Sequence, residues 1–303
     1  MNFDLKEEVR CGFTVTQKRK RVWQVELEML QELDRVCKKY NLMYFADSGT
    51  LLGTIRNKGF IPWDDDMDFV MPRKDYDKLV KIANKEIKSP LFFQSAYSDE
   101  GYYRGHAQLR NSNTTGILPK EGINVTFNQG IFIDIFPLDY VSKSKIIEKY
   151  RHHRLKRFMN VFRILFNKKK SEKAYKEKGK EIIRGFYKNK DKKKMYSKYE
   201  KIASRVMFKS ANLDKVSYYA NVCKYKYFPD EYFSKVIYMD FENTKIPVPH
   251  RYKDILEAYY GKNYMEPQNK ISHHGKVIYE VDKNYEDVLN EIRKGKKYEN
   301  FEL

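Results

Sequence analysis

Apolar residues recur at three- and four-residue steps between positions 17 and 40. Val22, Val25, Met29, Leu33, Val36 and Tyr40 fall on one side, with charged residues on the other. That period predicts an amphipathic helix, with Thr14 or Thr16 placed to cap it. Its expected task is packing against a sheet. A short apolar run at 43–46 then predicts a strand entering a turn at Asp47-Ser48-Gly49, and 50–56 a short helix. From 64 to 71 acidic and apolar residues interleave. Strand side chains alternate between faces, so Asp66 and Asp68 share one face while Met67 and Phe69 take the other. A second long helix is predicted over 73–87, followed by a buried strand over 91–94 and another over 102–110. Asn111-Ser112-Asn113 marks a turn. Residues 130–136 predict a strand ended by Pro137, with Asp134 set among Ile131, Phe132, Ile133, Ile135 and Phe136. Asp139 stands where it would cap the next turn.

The pattern changes after 143. Leu155, Phe158, Met159, Phe162 and Leu165 share one side of a helix predicted over 146–166, with basic residues around most of the rest. Residues 168–198 are mostly lysine with scattered tyrosine, which predicts a weakly structured or exposed helical region. Phe228-Pro229-Asp230, Ile246-Pro247-Val248-Pro249 and Glu266-Pro267 punctuate short elements in a C-terminal part of globular composition. A helix over 251–260 stops at Gly261. His273-His274 follow within I-S-H-H-G.

Composition narrows the classes. At 303 residues the chain makes one large or two small domains, and 41% hydrophobic and 15% aromatic content suffices for a core. Cys11, Cys37 and Cys223 are widely spaced with no C-x-x-C, which suits a reducing compartment and gives no zinc ribbon. No apolar h-region opens the chain and no apolar run approaches the ~18 residues of a membrane span. The expectation is a cytoplasmic protein. The net charge of +19 is local, because 151–200 hold 19 Lys/Arg against 5 Asp/Glu. A solvated basic face and an anionic membrane surface both fit that block. No nucleic-acid-binding signature accompanies it, so nucleic acid is not an expected partner.

The chemistry concentrates between 44 and 73. A helix that starts at Ser48-Gly49-Thr50 offers amide donors and the positive end of its dipole to a phosphate. Two carboxylates on one strand face repel, and a hard divalent cation resolves the conflict; Mg²⁺, with Mn²⁺ as substitute, takes carboxylates plus phosphate oxygens. A solvated acidic turn is the plainer alternative, opposed by Trp63 on one side and Phe69-Val70-Met71 on the other. An EF-hand loop counted from Asp64 fails, with Phe69 at its sixth position and Asp75 at its twelfth.

D-S-G-T-L-L-G at 47–53 followed by G-F-I-P-W-D-D-D-M-D at 59–68 resembles the signature of the LicD family, the phosphocholine transferases of bacterial surface glycans. Fukutin-related phosphotransferases are its distant eukaryotic relatives. I-F-I-D-I-F-P-L-D at 131–139 and Y-Y-G-K-N-Y-M-E-P at 259–267 resemble further landmarks of the family. The resemblance implies an α+β fold, with a nucleotidyltransferase-like mixed sheet and flanking helices over 1–142. A basic helical insertion would follow over 143–210, and a helical C-terminal part over 211–303 would complete the substrate site. It implies a metal held by Asp66, Asp68 and Asp134, with Asp64 beside them, and Asp134 as third ligand or general base. Asp139 would support that set from behind. Asp47, Ser48, Gly49 and Thr50 would cradle phosphate, Arg56 and Lys58 would add positive charge, and His273 would contact substrate. Trp63 is the aromatic candidate for a quaternary ammonium. The implied donor is CDP-choline or a related CDP-alcohol, and the acceptor a lipid-linked glycan at the inner face of the bacterial membrane. Rival readings are transfer of ribitol or glycerol phosphate, nucleotidyl transfer releasing pyrophosphate, and a basic adaptor that binds lipid or nucleic acid without catalysis.

Overall fold

The computed structural model describes residues 3–171, 173–204, 211–217, 226–267 and 277–298. A hairpin of β1 (Glu8–Arg10) and β2 (Phe13–Val15) leads into α1 (Gln17–Tyr40), the helix that the apolar spacing predicts. The Thr16 side chain accepts the Arg19 amide at its start, and Asn41 closes it in the left-handed conformation. Chain order then runs through β3 (Phe45–Ala46), α2 (Ser48–Arg56), β4 (Asp68–Pro72), α3 (Arg73–Glu86), β5 (Leu91–Gln94), β6 (Ala107–Asn111), β7 (Thr115–Ile117) and β8 (Ile131–Ser142). Three helices follow: α4 (Lys145–Phe166), α5 (Ala174–Tyr187) and α6 (Lys192–Ser204). The rest comprises β9 (Ala211–Ser217), β10 (Phe228–Pro229), β11 (Val236–Phe241), β12 (Thr244–Pro249), α7 (Tyr252–Tyr260), β13 (Ile278–Glu280) and α8 (Tyr285–Arg293).

The architecture is the expected α+β, with a seven-stranded mixed sheet organised on β8. β4 runs parallel to β8, while β6 and β9 pair with it antiparallel; β3 flanks β4, β5 flanks β6, and β10 flanks β9. Ile131, Ile133 and Ile135 of β8 are fully buried in one core with Val22, Leu30 and Leu33 of α1 and with Leu79 and Ala83 of α3. The C-terminal part returns to this core through Phe241, Ile246, Val248 and Ile255. It is not helical alone, since β11 pairs with β12 and β13 pairs back onto β7. The polar tract after 168 forms two helices, with Tyr196 and Tyr199 of α6 packed beside Leu155 and Phe162 of α4.

Two expectations along β8 need correction. Pro137 does not end the strand, which continues to Ser142. It falls between the residues that pair with β6 (131–135) and those that pair with β9 (139–142), so its missing N–H removes no antiparallel ladder bond. Asp139 does not cap a turn. It lies within β8, 1% exposed, and accepts two hydrogen bonds of 2.7 Å from Arg73 at the start of α3. The strand predicted over 102–110 is shorter, beginning at Ala107.

The Arg73–Asp139 pair ties α3 to β8, and removing one buried partner strands the other charge, at a cost of about 3–5 kcal/mol. Urea unfolding is therefore expected to show Arg73→Met less stable by about that amount. The double variant Arg73→Met, Asp139→Leu should recover at least half of the loss. Equal stability of the single variant and the parent would show that the pair holds nothing.

Candidate active site

Strand register and three hydrogen bonds to the backbone assemble the carboxylates. β4 lies parallel to β8 in a register that sets Asp68 directly opposite Asp134. The Asp134 amide donates to the Met67 carbonyl at 2.8 Å. The start of α2 then grips Asp68 twice: its amide donates to Thr50 Oγ1 at 2.8 Å and its carbonyl accepts the Asp47 amide at 3.0 Å. Asp66 precedes the strand instead of lying in it, yet the alternation survives, with Met67 and Phe69 fully buried and Asp66 and Asp68 partly open. Carboxylate oxygens of Asp66, Asp68 and Asp134 lie within 4.8 Å of one another. Those of Asp64, Asp65 and Asp66 form a second such group, so Asp66 belongs to both.

Opposite environments act on these acids. Burial, followed by the charges of Asp68, Asp64, Asp65 and Asp134, pushes the Asp66 carboxyl well above the ordinary aspartate range. Burial also acts to raise Asp134, but the adjacent His106 imidazole and the Gln108 amide outweigh it and hold this carboxyl below its usual value. His106 Nε2 lies 3.0 Å from Asp134 Oδ1, and Gln108 Nε2 donates to the same oxygen at 2.7 Å. Behind them Arg110 donates to Gln108 Oε1 at 2.7 Å and to Gln94 Oε1 at 2.6 Å. All three of these side chains are fully buried. Three acids with oxygens within 4.8 Å of one another, one of them held ionised, form the donor set that a hard divalent cation fits.

α1 does more than pack. Arg19 and Trp23 donate to the Asp64 carbonyl at 2.8 and 3.1 Å, which fixes the loop ahead of β4. Glu26, buried among the same groups, is pushed well above its ordinary value by burial and then by Asp65 and Asp64. Tyr279, next to β7, donates to the Asp65 carbonyl at 2.9 Å. None of these residues stands out in the sequence, because each occupies an unremarkable helix or strand position. His106 and Gln108 did leave a signal: with Arg110 they form the polar side of an alternating H-A-Q-L-R run.

The other expected site residues divide. Gly49 belongs to the site through lack of bulk, since a Cβ there would stand 2.3 Å from an Asp64 carboxylate oxygen. The Thr50 hydroxyl is committed to Asp68 and the Ser48 hydroxyl to Asp47. Arg56, half-buried at the far end of α2, bonds to Asn57 and to the Tyr264 carbonyl. Lys58 is exposed, and its carbonyl accepts the Glu242 amide. Trp63 is partly buried and packs edge-on against Phe13 at 6.1 Å. His273 lies outside the described residues.

Asp47 is 2% exposed, and burial pushes its carboxyl up to about 6 despite hydrogen bonds from Ser48 and Tyr259. Its folded pKa therefore exceeds its unfolded one, so folding favours the protonated form and ionisation costs stability as the pH rises from about 4 to above 6. Asp47→Asn is expected to raise the unfolding midpoint at pH 8, by up to about 3 kcal/mol of stability. At pH 4 the two proteins should coincide. A variant no more stable at pH 8 would contradict this.

Residues 41–162 match the sequence profile of the LicD/FKTN/FKRP nucleotidyltransferase domain. The lipopolysaccharide cholinephosphotransferase LicD of Haemophilus influenzae is 29% identical over 273 residues, which cover 84% of this chain and 94% of that protein. An uncharacterized protein of Rickettsia prowazekii is 34% identical over 71 residues, 23% of this chain and 24% of its own. A second, of Rickettsia typhi, is 38% identical over 48 residues, 16% of each chain. The matched span contains α2, β4 and β8 and with them every carboxylate of the two acidic groups. Through residues 41–162 the chain is thus similar to the LicD/FKTN/FKRP nucleotidyltransferase domain.

Proposed function

We propose that this protein transfers phosphocholine from CDP-choline to a sugar hydroxyl of a bacterial surface glycan, with release of CMP. The observation that carries the reading is the facing of Asp68 and Asp134 across β4 and β8 with Asp66 beside them. The name of the Haemophilus influenzae relative favours choline over a polyol. In the transfer the acceptor oxygen bonds to the phosphorus that carries choline, the bond from that phosphorus to the CMP oxygen breaks, and the hydroxyl proton leaves. Asp66, Asp68 and Asp134 would hold Mg²⁺ or Mn²⁺, and a bound cation neutralises charge that develops on the departing CMP. Gln108 and His106 keep Asp134 ionised and aimed, and Thr50 and Asp47 hold Asp68 in place.

Among the described residues no helix is long and apolar enough to cross a membrane. Ile146 and Tyr150 of α4 and Tyr175, Ile182 and Phe186 of α5 are nevertheless well exposed, on helices rich in Lys and Arg. Apolar side chains that enter an interface beside basic ones suit an anionic bilayer, at about 1 kcal/mol per basic residue near the surface. This favours a lipid-linked acceptor met at the inner face of the membrane.

With Mg²⁺ and a panel of CDP-alcohols, CMP release should be fastest from CDP-choline. Asp66→Ala and Asp68→Ala should each lower it by about a thousandfold or more with folding retained. Unchanged turnover in either variant would end the assignment, and pyrophosphate released from a nucleoside triphosphate would move it to nucleotidyl transfer. Replacing the lysines of 168–170 and 192–194 by glutamine should weaken sedimentation with phosphatidylglycerol vesicles and spare turnover on a soluble acceptor. If the intact protein does not sediment with such vesicles, the bilayer reading falls.

A further inference from the structure

Asp134 also lines a cavity of about 480 Å³ on its side of the sheet, a volume suited to a small ligand. Six aromatic rings contribute to its wall: Tyr103, Phe127, Phe132, Phe136, Phe162 and Phe166. The last two belong to α4, so the basic segment after 143 closes the cavity over the core. Tyr103 stacks on Phe162 at 4.8 Å, and the His106 ring lies 4.5 Å from Phe136, so this wall is packed before any ligand arrives. Glu121 also lines it and is only 7% exposed. One of its carboxylate oxygens pairs with Arg104, while Oε2 is buried with no hydrogen-bond partner among the described residues. An unanswered carboxylate oxygen among ring faces is costly unless a cation joins it. These rings already carry cations, with the guanidinium of Arg104, itself part of the lining, 5.4 Å from the Phe127 ring and that of Arg110 4.7 Å from Phe132.

We infer that this cavity seats the quaternary ammonium of the transferred group, with Glu121 as its countercharge, an assignment that rests on the reaction proposed above. A trimethylammonium has no N–H to donate, so ring faces and one carboxylate satisfy it fully. Glycerol or ribitol would set hydroxyls against the six ring faces, where they find no partner. Because Asp134 borders both places, a phosphoryl group at the carboxylate cluster and an ammonium in the cavity require only a short link, which the two-carbon arm of choline supplies. The cavity thereby sets which CDP-alcohol is used.

Phe166→Leu keeps apolar volume and removes a ring face, and Glu121→Gln keeps the oxygen that faces Arg104 and removes the charge. In each variant kcat/KM for CDP-choline relative to CDP-glycerol should fall about tenfold, mainly through KM, and tetramethylammonium should bind about tenfold more weakly by calorimetry. If the parent releases CMP and both variants keep its preference for choline, the cavity assignment is overturned and the reaction stands. If the parent releases CMP from no CDP-alcohol, the reaction is overturned and calorimetry alone decides the cavity. Weaker tetramethylammonium binding in the variants then supports an ammonium seat, and unchanged or absent binding removes it. Should Phe166→Leu fail to fold, Glu121→Gln carries the same comparisons.

Discussion

Repulsion between like charges, overcome by backbone pairing, is the constraint on which this structure turns. Asp68 and Asp134 face each other because β4 and β8 run parallel in that one register. A slip by one residue would send one acid to the opposite face and an apolar neighbour to the site. The fold defends the register from several sides. Thr50 and Asp47 hold both backbone groups of Asp68, the Met67 carbonyl takes the Asp134 amide, and Arg73 binds Asp139 further along β8. The acids remain uncomfortable together, as the raised carboxyl of Asp66 records. A divalent cation bound among them would relieve that repulsion.

The D-S-G-T signature acquires a mechanical meaning in this light. Its residues serve mainly to position acids: the Asp47 amide and the Thr50 hydroxyl anchor Asp68, while Gly49 leaves the space that Asp64 fills. The helix start that looks like a phosphate cradle is therefore also the clamp of the carboxylate strand. α1, in sequence a plain amphipathic helix, supplies Arg19 and Trp23 to hold the loop that carries Asp64.

Local periodicity made much of the framework legible. α1 and β5 lie where the patterns put them, because their apolar faces follow a single clear period. Asp134 was visible as a charge isolated in an apolar run, and the structure brings it to Asp66 and Asp68. What stayed hidden depends on pairing between distant segments. Pro137 looked like a strand end because only the arrangement of β6 and β9 shows that its N–H is unneeded. Glu121 and the rings of α4 gave no local sign of sharing a cavity with Asp134, since chain folding alone brings them together. Trp63 drew attention by standing next to the aspartates, and the fold sets its ring edge-on to Phe13 of the distant β2.

The most direct measurement is the anomalous diffraction of crystals grown with Mn²⁺ and CMP. The expected result is a manganese peak coordinated by carboxylate oxygens of Asp66, Asp68 and Asp134, with the CMP phosphate on the same ion. A nucleotide bound elsewhere, or an ion that leaves Asp68 and Asp134 uncoordinated, would contradict it.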